Sequence, residues 1–311
     1  MHPLIRMIAI AAATLFAQVS VAQTYPLTVE HKFGTTVVET QPTRVATLDF
    51  VGADDLLALG VQPVVIRHWY GDYPRSVWPW ADELLASEPS ILRGELNFEQ
   101  ITAAEPDVII ALWSGITADD YEKLSMIAPV IAVPEGVGDY SMPWDERAIL
   151  AGRVVGAEQA AIDAVDQIRA QLDDVAAQHP SWTGKTAAVA YQWSDVPGAY
   201  TSADIRPMVL NGMGFETPAA IDENADPSGF TTTLSPEDLS PLDGDLIVWI
   251  STDGDYSKVE QLVARPFLNA VQNEQELFLD AELSGAFSHS TLLSLPYAID
   301  RLVPQIEAVL D

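Results

Sequence analysis

An internal repeat restricts the possible folds of this chain more than any other feature. The two copies cover residues 96–110 and 234–248. In each, a Glu (Glu99 or Glu237) follows a leading Leu by three positions, and an Asp eight positions later opens an aliphatic run. Each copy is predicted to form a short helix, a tight turn and a buried parallel strand. The long stretch between the copies indicates two similar lobes, because solenoid repeats recur at much shorter periods.

The first 22 residues have the composition of a secretory signal. Arg6 supplies a positive start, residues 7–16 are apolar, and Ser20-Val21-Ala22 is a small-x-small cleavage site. The segment is too short for a spanning helix, so cleavage after Ala22 and export to the periplasm are predicted. The alternative is a buried N-terminal helix. The remaining chain divides into an N-terminal lobe (23–156), a linker helix (157–180) and a C-terminal lobe (181–311).

Charge and cysteine content exclude several classes of protein. The chain has 15 Lys and Arg against 45 Asp and Glu, a formal net charge of −30, so nucleic acid is not expected as a partner. The acidity either attracts cationic ligands and basic docking surfaces or is a solvated surface suited to a salty medium. The chain has no cysteine, which excludes disulfides and a lipid-modified Cys.

Strand and helix patterns alternate along both halves, which is typical of parallel sheets covered on both faces. Apolar runs predict strands at 45–48, 63–66, 108–112 and 130–133, and again at 187–191, 246–250 and 277–279. Between them, apolar residues recur every three or four positions over 157–178, which predicts one long helix. The predicted fold is α/β, with two similar lobes joined by this helix and a ligand cleft between them.

The order of these segments resembles a known family. The segments that carry the likeness are Arg-Val-Ala-Thr-Leu at 44–48, Leu-Asn-Phe-Glu-Gln-Ile at 96–101, the segment 123–130, the linker helix and Leu-Pro-Tyr-Ala-Ile-Asp at 295–300. Together they resemble the periplasmic substrate-binding proteins of the ferric-siderophore and cobalamin class, which supply ABC importers. The resemblance implies that Glu99 and Glu237 contact arginines of the membrane permease. The alternative is a helix-start Glu favoured by the helix dipole.

Loops at the carboxyl ends of the parallel strands are expected to line the cleft. Aromatic and basic residues in these loops suit the flat organic shell and the chelating oxygens of a siderophore. The alternatives are packed edge residues for the aromatics and structural salt bridges for the arginines. The candidate ligand-binding residues are Arg67, Trp69, Tyr70, Trp113, Trp193, Tyr200, Arg206 and Phe287.

A ferric siderophore of hydroxamate or mixed type is the expected ligand. Only Arg67, Arg75 and Arg206 are available near the cleft, too few for a polyanionic tris-catecholate complex. Haem, with Tyr70, Tyr73 or His68 as axial ligand, and cobalamin remain alternatives.

Direct metal binding and enzymatic activity are less favoured. The histidines that follow the signal segment (His31, His68, His179 and His289) are not paired at helical spacing. The sequence has no Gly-x-Ser-x-Gly elbow, His-Glu-x-x-His pair or phosphate loop. No catalytic residue, protein-bound metal or cofactor is therefore predicted, and the expected form is a monomer with a small ligand and a permease as partners.

Overall fold

Residues 23–311 are described by the structure, a computed structural model; the predicted signal segment 1–22 lies outside the described residues. The first half of the chain forms, in order, β1 (Leu27–His31), β2 (Gly34–Val38), β3 (Val45–Thr47), α1 (Gly52–Ala58), β4 (Val65–Arg67), α2 (Pro79–Asp82), β5 (Ser90–Leu92), α3 (Phe98–Ala103), β6 (Val108–Ala111), α4 (Ala118–Ser125), β7 (Val130–Ala132) and α5 (Trp144–Val155). Strands β5-β4-β3-β6-β7 form a parallel sheet in this order, and β1-β2 is a separate hairpin.

The second half is built on the same plan. Its elements are α6 (Glu158–Gln178), β8 (Ala187–Trp193), β9 (Val196–Tyr200), α7 (Ile205–Gly212), α8 (Ala219–Glu223), β10 (Thr231–Thr233), β11 (Leu246–Ile250), α9 (Ser257–Glu260), α10 (Asn269–Gln272), β12 (Glu276–Phe278), α11 (Ala281–His289) and α12 (Ser294–Leu310). The sheet order is β10-β9-β8-β11-β12. Strands β8, β11 and β12 are parallel, whereas β9 and β10 are antiparallel to their neighbours.

The central strands are apolar on both faces because helices and loops cover both sides of each sheet. Every residue of β6 and of β11 is buried. Such continuous apolar runs are typical of parallel strands covered on both faces, which the strand patterns predicted, and the internal repeat predicted two such α/β lobes. That prediction is confirmed. Residues that follow the carboxyl ends of β4, β8 and β11 lie at the space between the lobes.

The predicted long helix is α6, which begins one residue later than expected. Its buried residues recur at alternating spacings of four and three: Ala161, Val165, Ile168, Leu172 and Val175. This stripe packs against α5 and α7, so the helix is anchored along its length. Within residues 23–311, no helix combines the length and apolarity that a bilayer crossing needs.

The second copy of the internal repeat departs from the predicted helix. Residues 235–238 form a turn closed by an isolated bridge, followed by a single 3-10 turn at Ser240–Leu242. The side chain of Asp238 accepts hydrogen bonds from the backbone N–H and hydroxyl of Ser240. Pro241 has no N–H to donate to the carbonyl of residue 237, so an α-helix through this segment would lack that hydrogen bond. Glu99 therefore lies in the first turn of α3, whereas Glu237 lies in a turn.

The hairpin β8-β9 was not predicted. Its strands are joined at Ser194 and Asp195, which have φ angles of 51° and 89°. Positive φ at both turn residues matches the twist of a tight two-residue hairpin, a conformation usually signalled by Gly or Asn. Because neither is present, the sequence carries no strong turn signal, and the strand predicted at 187–191 continues to Trp193.

Candidate ligand-binding site between the lobes

A cavity of about 600 Å³ lies between the two lobes. Its lining combines aromatic rings with hydroxyl, carboxylate and basic groups, as in a typical small-molecule site. The N-terminal lobe contributes the loop after β4, and the C-terminal lobe contributes the hairpin β8-β9, the start of α7, the loop after β11 and one face of α11. The lining residues are Trp69, Tyr70, Tyr191, Gln192, Trp193, Ser194, Tyr200, Arg206, Ile250, Ser251, Thr252, Asp253, Asp255, Lys258, Ser284 and Ser288.

Aromatic rings face the cavity from both lobes. Trp69 and Tyr70 pack edge to face with ring centroids 4.6 Å apart, and Tyr191 and Tyr200 are 4.9 Å apart. Trp193, near the tip of the hairpin, is 73% exposed, an unusual position for so large an apolar side chain. Burial raises the pKa of Tyr70 and of Tyr191 to about 12, so both phenols stay protonated at neutral pH and can donate hydrogen bonds.

Arg206 is the charged group at the inner wall of the cavity. Its Nη1 donates to both carboxylate oxygens of Asp204 at 3.0 and 2.9 Å, and its Nε donates to the hydroxyl of Ser288 at 3.1 Å. The guanidinium carbon lies 4.1 Å from the ring centroid of Tyr200 and 6.0 Å from that of Trp69. Burial alone would lower the pKa of Arg206, but the adjacent Asp204 carboxylate raises the pKa above its ordinary value. The guanidinium is therefore charged and held in one orientation.

One nitrogen of this guanidinium is left for a ligand. Arg206 is only 4% exposed, yet its Nη2 has no hydrogen-bond acceptor among residues 23–311. Its position follows from the local fold, since Asp204 caps α7 by accepting from the backbone N–H of Arg206 at 2.9 Å. Because Arg206 lines the cavity, a bound ligand oxygen can accept a hydrogen bond from this nitrogen.

Five of the eight predicted ligand-binding residues line this cavity, and two more lie behind its wall. The lining members are Trp69, Tyr70, Trp193, Tyr200 and Arg206. Trp113 is buried against Trp69, with ring centroids 5.2 Å apart. Arg67 donates to the carbonyl of Ser114 at 2.8 Å and stacks over Phe50 at 4.1 Å, and burial lowers its pKa.

Phe287 corrects the prediction that the segment 287–290 is a loop facing the cleft. The segment is the last turn of α11, and Phe287 points into the hydrophobic core of the C-terminal lobe with no exposed surface. Its neighbour Ser288 lines the cavity instead. Successive helix residues point about 100° apart, so only one of the two can face the ligand space.

Several residues that line the cavity were not predicted from the sequence. The sequence places Tyr191 in a strand and predicts no role for Gln192, Asp253 or Asp255. These carboxylates follow directly after β11, at the strand end where open α/β sheets bind ligands. That position is the signal that could have identified them.

A segment of the C-terminal lobe inserts into the N-terminal lobe beside the cavity. The ring of His289 lies 5.3 to 5.9 Å, centroid to centroid, from four aromatic rings of the N-terminal lobe: Trp69, Tyr70, Trp78 and Trp80. Its Nδ1 lies 2.8 Å from the carbonyl oxygen of Gly285. Burial lowers the pKa of His289 to about 3, so the imidazole is neutral and packs among these four aromatic rings.

Polar contacts secure the same insertion. Asp55 and Arg147 form a fully buried ion pair at 3.1 Å, with side chains 1% exposed. Asp55 also accepts from the backbone N–H of Leu292 at 3.0 Å, and Arg147 donates to the carbonyl of Ser290 at 2.7 Å. The carboxylate of Asp54 accepts from Thr291 at 2.9 Å and from Trp80 at 2.7 Å. We call residues 289–292 the inter-lobe plug.

A second cavity of about 670 Å³ lies on the outer face of the N-terminal lobe, between α3 and α4. It is an open groove whose lining residues are Phe98, Thr102, Glu105, Pro106, Lys123, Met126 and Ile127. We assign the ligand to the inter-lobe cavity rather than to this groove, because aromatic and polar groups of both lobes converge there.

Glu99 and Glu237 are both exposed, and neither forms a salt bridge among residues 23–311.

A group of side chains that could hold a metal ion lies outside the inter-lobe cavity: His179, Glu307 and Asp311 meet where α6 and α12 end. Nε2 of His179 lies 3.2 Å from Glu307, and its Nδ1 lies 3.4 Å from Asp311. One ring nitrogen of His179 and one carboxylate oxygen from each of Glu307 and Asp311 lie within 4.8 Å of one another.

Comparison with known proteins identifies the family. The sequence profile described as periplasmic binding protein matches residues 45–283. A periplasmic solute-binding protein from Mycobacterium smegmatis superposes with a TM-score of 0.78 at 30% identity, covering 91% of this chain and 98% of that one. Streptococcus pneumoniae PiaA in complex with ferrichrome matches with the same TM-score and coverage at 25% identity.

A curated relative has a comparable extent of similarity. The probable siderophore-binding lipoprotein YfiY of Bacillus subtilis is 25% identical over 242 residues, which are 74% of this chain and 70% of YfiY. The profile match spans both lobes, and the structural matches cover nearly the whole described fold. The chain therefore belongs to the periplasmic binding protein family.

Proposed function

We propose that this protein captures a ferric siderophore in the inter-lobe cavity and delivers it to the permease of an ABC importer. The observation that carries the proposal is Arg206, a buried and charged side chain with one nitrogen free, set in an aromatic wall between the lobes. In a ferric siderophore six ligand oxygens surround the iron, so the protein supplies apolar surfaces and hydrogen-bond donors. The names of relatives such as YfiY and of PiaA with ferrichrome support the same ligand class.

The charge of the cavity favours a hydroxamate or mixed-type siderophore over a tris-catecholate. Its two basic lining groups, Arg206 and Lys258, are each paired with a carboxylate, Asp204 at 2.9 Å and Asp195 at 2.8 Å. A chelate with several negative charges would therefore find no uncompensated positive charge among the lining residues. A ferric trihydroxamate, in which three singly charged groups neutralise Fe³⁺, requires none.

Haem and cobalamin are the alternative ligands of this fold. Haem would need Tyr70, Tyr73 or His68 as an axial ligand to its iron. The raised pKa of Tyr70 disfavours the phenolate form that binds iron. His68 and Tyr73 are not among the lining residues of the inter-lobe cavity.

Calorimetric titration with a panel of ligands tests the proposal. The panel contains a ferric trihydroxamate, a ferric tris-catecholate, ferric citrate, haem and cobalamin, each with its iron-free form where one exists. We expect the trihydroxamate to bind most tightly and only in its ferric form. Binding of haem or cobalamin alone would replace the siderophore assignment.

Delivery requires a docking surface and the right compartment. We propose that Glu99 and Glu237, exposed on separate lobes and free of salt bridges among the described residues, contact basic residues of a two-fold permease. We propose that the protein acts as a monomer in the periplasm after removal of residues 1–22. It binds and releases its ligand without catalysing a reaction.

A further inference from the structure

The rim of the inter-lobe cavity carries two carboxylates that the site described above does not use. Asp253 and Asp255 lie in the loop after β11, and both line the cavity. Oδ1 of Asp253 accepts from the hydroxyl of Ser251 at 2.7 Å and from the backbone N–H of Asp255 at 3.0 Å. Oδ1 of Asp255 accepts from the backbone N–H of Ser257 at 2.9 Å. These hydrogen bonds lower the pKa of both carboxyls, so both are ionised at neutral pH.

Both carboxylates keep one oxygen free. Among residues 23–311, neither Oδ2 accepts a hydrogen bond, and neither carboxylate has a salt-bridge partner. The nearby Lys258 pairs with Asp195 instead, and Arg206 pairs with Asp204. Each of these pairs sums to zero charge, so Asp253 and Asp255 leave the cavity rim with a net negative charge.

The two ends of the cavity therefore offer opposite groups to a ligand. At the inner wall, the unpartnered Nη2 of the buried Arg206 can donate to a chelating oxygen. At the rim, the free Oδ2 atoms of Asp253 and Asp255 can accept from a cationic donor. A neutral iron centre with a pendant positive group satisfies both ends, whereas an anionic chelate is repelled at the rim.

We propose that the cavity selects a neutral ferric hydroxamate chelate that carries a free ammonium group, with Asp253 and Asp255 as the residues that recognise that group. The inference rests on the proposed siderophore function and names the ligand class within it. The two carboxylates are exposed to solvent, so each contact is weak on its own and sensitive to salt. Together they set a preference of about three- to tenfold in Kd.

A matched pair of ligands tests this preference. One is a linear ferric trihydroxamate with a terminal primary amine, and the other is the same chelate with that amine acetylated. In calorimetric titrations at low salt, the wild-type protein should bind the amine form about three- to tenfold more tightly. The preference should shrink at high salt, because added ions screen the ammonium–carboxylate attraction.

Two double variants locate the source of the preference. Asp253→Asn with Asp255→Asn keeps the Oδ1 acceptors of the loop and removes both charges, so affinities for the two ligands should become equal. Asp173→Asn with Asp174→Asn removes the same charge from exposed positions on α6, away from the cavity, and should leave the preference intact. Equal affinity of the wild type for both ligands, or equal loss in both variants, would overturn the inference alone. Failure of both ligands to bind would overturn the proposed function as well.

Discussion

At the scale of single residues, the cavity depends on groups that packing alone does not explain. Arg206 is fixed by Asp204, Ser288 and the face of Tyr200, and this leaves one direction for its remaining N–H groups. Trp193 is the opposite case, since little protein surface covers it. A buried guanidinium with a free nitrogen and an exposed indole facing one cavity both become favourable when a ligand fills the space between them.

Trp193 provides a test of ligand contact that does not depend on folding. Trp193→Ala should weaken siderophore binding by about 2 kcal/mol, roughly 30-fold, because an aromatic anchor loses its contact with the ligand. The melting temperature should stay nearly constant, since the side chain is 73% exposed. Phe267, 77% exposed in the same lobe but outside the cavity, is the matched control, and Phe267→Ala should change neither value. Unchanged affinity in Trp193→Ala would remove the hairpin from the site.

Asp54 makes a specific pH dependence of stability testable. Burial raises its pKa from 3.8 to about 7, with Trp80 and Thr291 as hydrogen-bond donors and Asp55 and Arg147 as charged neighbours. Between these two values the native state holds a proton that the unfolded state has lost. The contribution of Asp54 to the free energy of unfolding therefore falls as pH rises from about 4 to 7, by at most about 1.4 kcal/mol per pH unit.

Comparison with Asp54→Asn isolates this effect from other groups, such as His289, whose lowered pKa acts in the opposite direction. The Asn side chain keeps an oxygen for Trp80 and Thr291 but does not titrate. In urea unfolding between pH 4.5 and 8, the stability of the variant relative to wild type should increase with pH. The exposed substitution Asp173→Asn should give no such trend, and a constant difference for Asp54→Asn would contradict the argument.

Sequence reasoning located the loops of the site better than the side chains within them. Trp69, Tyr70 and Arg206 follow strand ends or begin a helix, and such positions can be inferred from apolar runs and caps. Which face of a helix is turned toward the cavity depends on packing against the other elements. Phe287 and Ser288 are adjacent, yet one is in the core and the other lines the cavity, a distinction set by the docking of α11.

At the scale of elements, local signals decided which parts of the fold were predictable. Local sequence signals mark apolar strands with polar ends. They also mark capped helices such as α4, where Thr117 and Asp120 form a capping box. The hairpin β8-β9 and the turn around Glu237 were missed. The first is closed by non-Gly residues at positive φ, and the second is a helix pattern interrupted by Pro241.

The two proposed docking elements give a prediction for transport. Charge reversal in Glu99→Arg with Glu237→Arg should abolish iron delivery in cells, while ligand affinity of the purified protein stays unchanged. One exposed ion pair contributes only about 0–1 kcal/mol, but both sit on one body, so the second forms at high effective concentration. The single variants should therefore be milder.

The control for this experiment changes net charge equally at other exposed positions. Glu39→Arg with Asp174→Arg alters one site outside the sheet of the N-terminal lobe and one on α6, and it should transport normally. Normal delivery by the Glu99 and Glu237 double variant would show that the permease contacts another surface.

At the scale of the whole molecule, two features oppose large movement of the lobes. The helix α6 is buried along one face over its length. The inter-lobe plug reaches into the N-terminal lobe, where it hydrogen-bonds to the buried Asp55–Arg147 pair and places His289 among aromatic rings. Opening the cleft widely would expose that ion pair and separate its hydrogen bonds to Ser290 and Leu292. Such buried pairs are costly to break.

Small-angle X-ray scattering can measure this restraint. The curves of the ligand-free and ligand-saturated protein should nearly overlay, because α6 and the inter-lobe plug restrain closure of the lobes. Arg147→Ala, which leaves Asp55 buried without its partner, should lower the free energy of unfolding by about 3–5 kcal/mol. A clear decrease in the radius of gyration of the wild type on binding would contradict a restrained link between the lobes.

The position of the iron in the complex shows where the ligand binds. Crystals grown with a ferric trihydroxamate and measured at the iron absorption edge would give an anomalous difference map that marks the metal. We predict one peak in the inter-lobe cavity, between Trp69 and Trp193 and within reach of a chelate oxygen bonded to Arg206. A peak at His179, Glu307 and Asp311, or in the outer groove beside Lys123, would contradict the assignment of the ligand site.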